Sequence, residues 1–232
     1  YSWVPVSVRD RLLALVAARL APGGVAFVSY NCLPGCHIRR MVREIMRFHV
    51  RDLKDPRSQV EQAFAVTQFI AGSIDKPDSY RLVFKEQLEQ IQRHGFGHLF
   101  HDDLAEVNDP VYFHEFMAHA AAHGLQFVAE SDFFEMQDEL FTSEVRQVLG
   151  GMQDDRLTRE QYLDFLKCRR FRQTLLTAAD RPLPTRPSAD AIRGMHVAAN
   201  AQISPTGRQG SAGEIWRFSE PRGGILETDH PL

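Results

Sequence analysis

The sequence predicts an α/β opening followed by a mainly helical stretch and the start of a small α+β end. Three observations carry that reading. Leu12, Leu13, Leu15, Val16 and Leu20 recur at helical spacing ahead of Pro22-Gly23-Gly24, and an unbroken apolar run, Val25 to Ser29, follows at once. From His37 to His94 the apolar residues keep a helical period through three segments. Beyond Arg181 to Pro187, a stretch stiffened by its prolines, short apolar runs are separated by glycine-containing turns.

The first helix covers about fifteen residues, with Arg9, Asp10, Arg11 and Arg19 on its polar face. Proline cannot continue it, and glycine tolerates the left-handed turn that ends it. Val25 to Ser29 is apolar throughout, which suits an interior strand of a parallel sheet covered on both faces. After a loop from Asn31 to Gly35, a helix from His37 to about Leu53 sets Ile38, Met41, Val42, Ile45 and Met46 against arginines, until Asp55-Pro56 breaks it. Helices from Ser58 to Ile74 and from Ser79 to His94 follow. A short element between His98 and Asp109 leads to a helix from Val111 to His123, capped by Gly124. Leu125 to Glu130 alternates as a strand. Helical pieces are expected from Thr142 to Leu149 and from Arg159 to Thr177, the second opened by Thr158 and Gln161 at capping-box spacing. Past the linker, His196 to Ile203 reads as a strand and Ser204 to Gly213 as a loop. Ile215 to Phe218 and Gly224 to Thr228 read as a hairpin.

Composition narrows the function classes. Of 232 residues, 44% are hydrophobic and 25% charged, with a formal net charge of −3, so no basic excess points to nucleic acid. No uncharged apolar run reaches the roughly eighteen residues of a membrane helix, and no membrane partner is expected. Three cysteines are too few for a disulfide framework and favour a reducing cytoplasm.

Tyr1-Ser2-Trp3-Val4, the first helix, Leu20-Ala21-Pro22-Gly23-Gly24 and Val25-Ala26-Phe27-Val28-Ser29 together resemble the second half of a class I S-adenosylmethionine-dependent methyltransferase. In that family a short segment ending in Trp-Val follows the fourth strand of a Rossmann-like sheet, and a Pro-Gly-Gly turn introduces the fifth. Leu99 to Phe116, Glu160 to Leu166 and Arg169 to Leu176 are similar to the methyltransferase regulatory domain, found in protein-lysine methyltransferases of the rickettsial type. Phe218 to Leu232 looks like the opening of the winged-helix-like domain that ends those proteins. The resemblance implies three regions: 1–72, the end of a catalytic domain with a helical extension; 75–180, the regulatory domain; and 188–232, the start of a C-terminal domain. It also implies truncation at both ends. The implied activity is methyl transfer from S-adenosylmethionine to an acceptor, with a protein lysine as the leading choice. The competing class is a non-enzymatic module whose helices after His37 act as a lid, a homodimer surface or a docking scaffold.

A class I cofactor site needs a glycine-rich strand-to-helix turn and an acid for the ribose. Gly95-Phe96-Gly97 lacks the third glycine and follows a helix. The resemblance puts that turn upstream of Tyr1, so the chain alone is expected to be inactive. What remains is a pocket wall beyond the carboxyl ends of strands. Tyr1 and Trp3 are its cofactor-side candidates, and Tyr30 and Asn31 its substrate-side candidates, with core packing as the alternative. A lysine nucleophile must lose a proton, and His37, His101 and Tyr112 are the catalytic candidates. His101 and Tyr112 stand in a polar cluster with Asp102, Glu106, Asn108 and His114. Its other reading is a helix start capped by Asn108 or Asp109, with Pro110 in the first turn. Glu115, His119 and His123 share one helical face but do not form His-Glu-x-x-His, and Cys32 and Cys36 lack a second pair, so no metal is expected. Lys167, Arg169, Arg170 and Arg172 follow four acids and read as a solvated helix face rather than an RNA contact.

Overall fold

The computed structural model describes residues 1–232 except 77, 153, 185–189, 191–192, 197–199, 222–223 and 231–232. These form two units, Tyr1–Leu183 and Pro184–Leu232.

In the first unit α1 (Val6–Arg19) leads to β1 (Ala26–Asn31) and then to three helices, α2 (Gly35–Val50), α3 (Pro56–Ala71) and α4 (Ser79–His94). The short α5 (Phe96–His98) runs into one π-helical turn (Leu99–Asp103), followed by α6 (Phe113–Ala122) and β2 (Leu125–Glu130). The unit closes with α7 (Ser143–Gly150), α8 (Arg156–Lys167) and β3 (Phe171–Ala178). Its sheet has the order β1-β3-β2, with β3 antiparallel to both neighbours.

The expected interior parallel strand is therefore corrected. Among the described residues β1 is an edge strand whose partner is the antiparallel β3, and Val25 and Phe27 are half exposed. A continuous apolar run does not distinguish a strand covered on both faces from one with a wet side. The helix expected from Arg159 to Thr177 is also corrected. Cys168 takes a left-handed φ of 48°, ending α8, and the chain turns back as β3. The inward residues of β3 include Arg172 and Thr174, so its alternation is invisible to hydrophobicity.

Helix starts follow local chemistry. Asp55-Pro56 begins α3 rather than only ending its predecessor: the Asp55 carboxylate accepts the Ser58 N–H at 2.8 Å, and Pro56 opens the first turn. Asp155, not Thr158, caps α8, accepting the Thr158 N–H at 3.0 Å. At the far end of α6, Gly124 takes a φ of 70°, the left-handed turn its sequence position implies. Two cores result. Leu13, Tyr30, Phe113, Phe116, Leu125, Phe127 and Leu176 pack α1 and α6 with the sheet. Val42, Met46, Val60, Phe84, Ile91 and Leu99 bind α2, α3 and α4 into a helical layer of their own.

Of the basic residues read as solvated, Arg169 and Arg172 are buried. Arg172, fully enclosed, meets Glu130 at 2.5 Å, Asp164 at 2.9 Å and Glu160 at 3.1 Å, and its guanidinium lies 3.9 Å from the Phe113 ring centre. Arg169 joins them, 3.1 Å from Asp164 and 3.2 Å from Glu135. Burial pushes the Asp164 carboxyl up to about 6, despite both guanidiniums beside it. A carboxyl more basic in the fold than its ordinary 3.8 stabilises fully below that value and loses its contribution as pH rises through 6. Between about pH 4 and pH 6, Asp164 should thus withdraw on the order of 2–3 kcal/mol. Urea unfolding of the natural chain against Asp164→Asn reads this as a pH-dependent difference; a flat difference would refute it.

In the second unit β4 (Gln202–Gln209), β5 (Glu214–Ser219) and β6 (Ile225–Thr228) form an antiparallel sheet in that order. The expected hairpin is β5–β6. The Ser204 to Gly213 loop is corrected: most of it is β4, an exposed edge strand with no apolar face to announce it. The strand expected from His196 starts only at Gln202, and 197–199 lie outside the described residues. Across this sheet Glu227 pairs with Arg217 at 2.7 Å and with Arg208.

Candidate functional site

A cavity of about 390 Å³ opens where β1 ends, lined by Trp3, Asn31, Arg39, Gln87, His98, Asp102, Asp103 and Phe171, among others. Open α/β sheets bind ligands beyond the carboxyl ends of their strands, and Asn31 is the last residue of β1. Its side chain is held by a relay of amides: Asn31 Nδ2 donates to Asn108 Oδ1 at 3.0 Å, and Asn108 Nδ2 donates to the Asp102 carbonyl at 2.8 Å. The Asn31 N–H donates to Ser2 Oγ at 2.6 Å, which fixes the segment carrying Trp3 against the strand end.

On the opposite wall Arg39 of α2 grips Asp103 with two hydrogen bonds, Nε to Oδ1 at 2.6 Å and Nη2 to Oδ2 at 3.1 Å. Beside it His98 Nε2 lies 3.1 Å from Asp102 Oδ2. Two buried donors in the cavity lining, Trp3 Nε1 and Gln87 Nε2, have no hydrogen-bond partner among the described residues. Gln87 is only 5% exposed. An unmet buried donor costs about 1–3 kcal/mol, and both nitrogens are enclosed by the protein even though their side chains line the cavity.

The candidates named from sequence separate into three places. Trp3 and Asn31 meet in the cavity. Tyr1 and Tyr30 do not line it. Tyr1 packs on Phe116 with ring centres 5.1 Å apart, and its hydroxyl lies 2.7 Å from His119 Nδ1. Tyr30 is fully buried, its ring tilted against Phe116 with centres 4.2 Å apart and its hydroxyl 3.0 Å from Thr174 Oγ1, and burial pushes that hydroxyl's pKa well up. The structure thus gives Tyr30 a core position. His37 and Tyr112 pair at 3.3 Å on the surface, with Tyr112 stacked on His114. His101 is exposed, its ring edge-on to Phe100, and none of these three lines the cavity.

The capping role expected of Asn108 is corrected by its bond to Asn31. At the true start of α6, Glu115 Oε2 accepts the Tyr112 N–H and Gln161 Oε1 accepts the His114 N–H, both at 3.0 Å. Cys32 and Cys36 donate their thiols to the carbonyls of Arg169 and Arg170, and burial pushes Cys36 up to about 11 and Cys32 further. Arg39, Gln87 and His98 escaped the sequence reading. Each sits in an unremarkable polar position, and only the fold brings them to one wall.

Residues 96–178 match the family model described as a predicted methyltransferase regulatory domain. Over 200 residues the chain is 32% identical to uncharacterized protein RP789 of Rickettsia prowazekii (strain Madrid E), a match covering 86% of this chain and 36% of that protein. It is also 32% identical over 121 residues to protein RP028 of the same organism, covering 52% of this chain and 48% of the relative. The solved structure of PKMT2 from Rickettsia typhi matches with a TM-score of 0.78 at 26% identity, covering 99% of this chain and 44% of that one. PKMT2 in complex with AdoHcy matches with a TM-score of 0.76. The chain spans about a third to a half of the length of these relatives. Residues 96–178 are thus similar to the methyltransferase regulatory domain, within a fold similar to that of rickettsial PKMT2.

Proposed function

We propose that this chain supplies the acceptor-side wall of an S-adenosylmethionine-dependent protein methyltransferase, and that its cavity receives a lysine side chain. The observation that carries this is the cavity at the end of β1, where Asp102 and His98, 3.1 Å apart, stand beside the aromatic rings of Trp3 and Phe171. In this reading the lysine stem lies along Trp3 and Phe171. Asp102 draws in the ammonium, and His98 takes its proton so that a neutral amine can attack. The cofactor, when bound, supplies an electrophilic methyl group. The residues here fit the outer wall of such a site and not its glycine-rich cradle, which this sequence does not contain.

The sheet supports the same reading. Both β1 and β2 run antiparallel to β3 and so parallel to each other. We infer that β1-β3-β2 is the second half of a Rossmann-like sheet. Residues 188–232 would then open the winged-helix-like domain.

The chain has two tryptophans, so Trp216→Phe leaves Trp3 as the reporter. Its fluorescence should respond to a lysine-containing peptide with a Kd of about 1 mM. Asp102→Asn should weaken that binding about tenfold, as expected for a lost charge-assisted contact. No response to peptide, or one indifferent to Asp102→Asn, would overturn the proposal. Labelled S-adenosylmethionine should give no turnover with this chain alone; turnover would show that the cradle is not needed.

A further inference from the structure

We propose that Asp10, His119 and His123 form a binding site for a divalent transition metal of the zinc type, joining α1 to α6. His123 Nε2 lies 2.8 Å and His119 Nε2 3.3 Å from Asp10 Oδ1, and the three ligand atoms fall within 4.8 Å of one another. Ligands of a tetrahedral ion with bonds near 2.0–2.1 Å sit about 3.3 Å apart, so an ion inserts with small side-chain movements. Sequence spacing had grouped the two histidines with Glu115. The structure replaces that acid with one from another helix, while Glu115 is occupied by the Tyr112 amide.

Two further features belong to a built site. The far nitrogen of His119 is already committed, with Nδ1 2.7 Å from the Tyr1 hydroxyl, which leaves Nε2 to face the ion. Such an outer partner fixes tautomer and ring orientation in metal-bound histidines. Both histidines are largely covered, at 25% and 18% side-chain exposure, while Asp10 is 61% exposed. An ion would thus sit in a rigid imidazole pair with a carboxylate at its mouth and one position open to water. Imidazole nitrogen with a single carboxylate suits zinc, cobalt or nickel better than magnesium or calcium. The inference is independent of the methyltransferase reading.

Cobalt(II) titrated into the full chain is expected to bind one equivalent and develop visible d–d bands without a thiolate charge-transfer band, and zinc should displace it. The expected Kd is about 10 μM, and a hundredfold excess of zinc over Kd should raise the thermal midpoint by about 5 °C. His123→Gln should weaken binding about a hundredfold and Asp10→Asn about tenfold, each leaving the metal-free midpoint near that of the natural chain. Absent bands, affinity unchanged in both variants, or a thiolate band removed by Cys168→Ser would each overturn the assignment.

Discussion

Replacing Gly35 with alanine is expected to leave little folded protein. Gly35 opens α2 directly against the turn between α8 and β3. A Cβ there would stand 2.2 Å from the Cys168 carbonyl oxygen and 2.5 Å from that of Arg169. Both obstacles are main chain, so no rotamer change relieves them. The approach is itself hydrogen-bonded: Gly35 N–H donates to Arg169 O at 3.0 Å, and Cys32 N–H donates to Arg170 O at 2.9 Å. Moving the turn away would break these bonds and pull Arg169 from its carboxylates. The cost should reach about 3–5 kcal/mol, at the upper end of single substitutions and a large share of a typical domain's stability. Urea midpoints and soluble yield measure it. Gly97→Ala serves as control, since nothing lies within 4 Å of the added carbon. Equal midpoints for the two variants would sink the account.

Arg172→Met should be comparably damaging for an electrical reason. The side chain is fully buried and answers Glu130, Asp164 and Glu160 at once. Methionine fills similar space yet leaves three enclosed carboxylates, of which Asp164 keeps only Arg169, and Glu160 keeps Arg169 and a long contact of 3.9 Å to Arg159. Breaking a buried ion network by removing one partner costs about 3–5 kcal/mol. Part of that should return when the orphaned acids take up protons, so the variant's deficit should shrink between pH 7 and pH 5. Unfolding free energies at the two pH values test this directly. A deficit that stays constant or grows on acidification would mean the carboxylates are not what the arginine supports.

Both sites show where sequence reading reaches its limit. The helical layer was legible because α2, α3 and α4 bury apolar residues at a helical period. Ser79 to His94 is α4 from end to end. β3 was illegible because Arg172 and Thr174 point inward, where a hydrophobic pattern demands carbon. Their burial depends on acids more than forty residues earlier or on the preceding helix, which no local window contains. At the cavity, the rule that ligands gather beyond strand ends led to Asn31, which lines it. Neighbouring Tyr30 fell to the other side, since successive strand residues face opposite ways. Gln87 and His98 carried no spacing signal because their partners come from separate elements.

The placement of β3 between β1 and β2 also sets the order in which this unit acquires its shape. The helices α2 to α4 touch mainly their chain neighbours, whereas Asn31 must wait for Phe171, and Ala26 for Leu176, roughly 140 to 150 residues downstream. On a ribosome, therefore, the helical layer can condense early while β1 waits as a bare ribbon. The late arrival of β3 is the loop-closing event that should limit the folding rate.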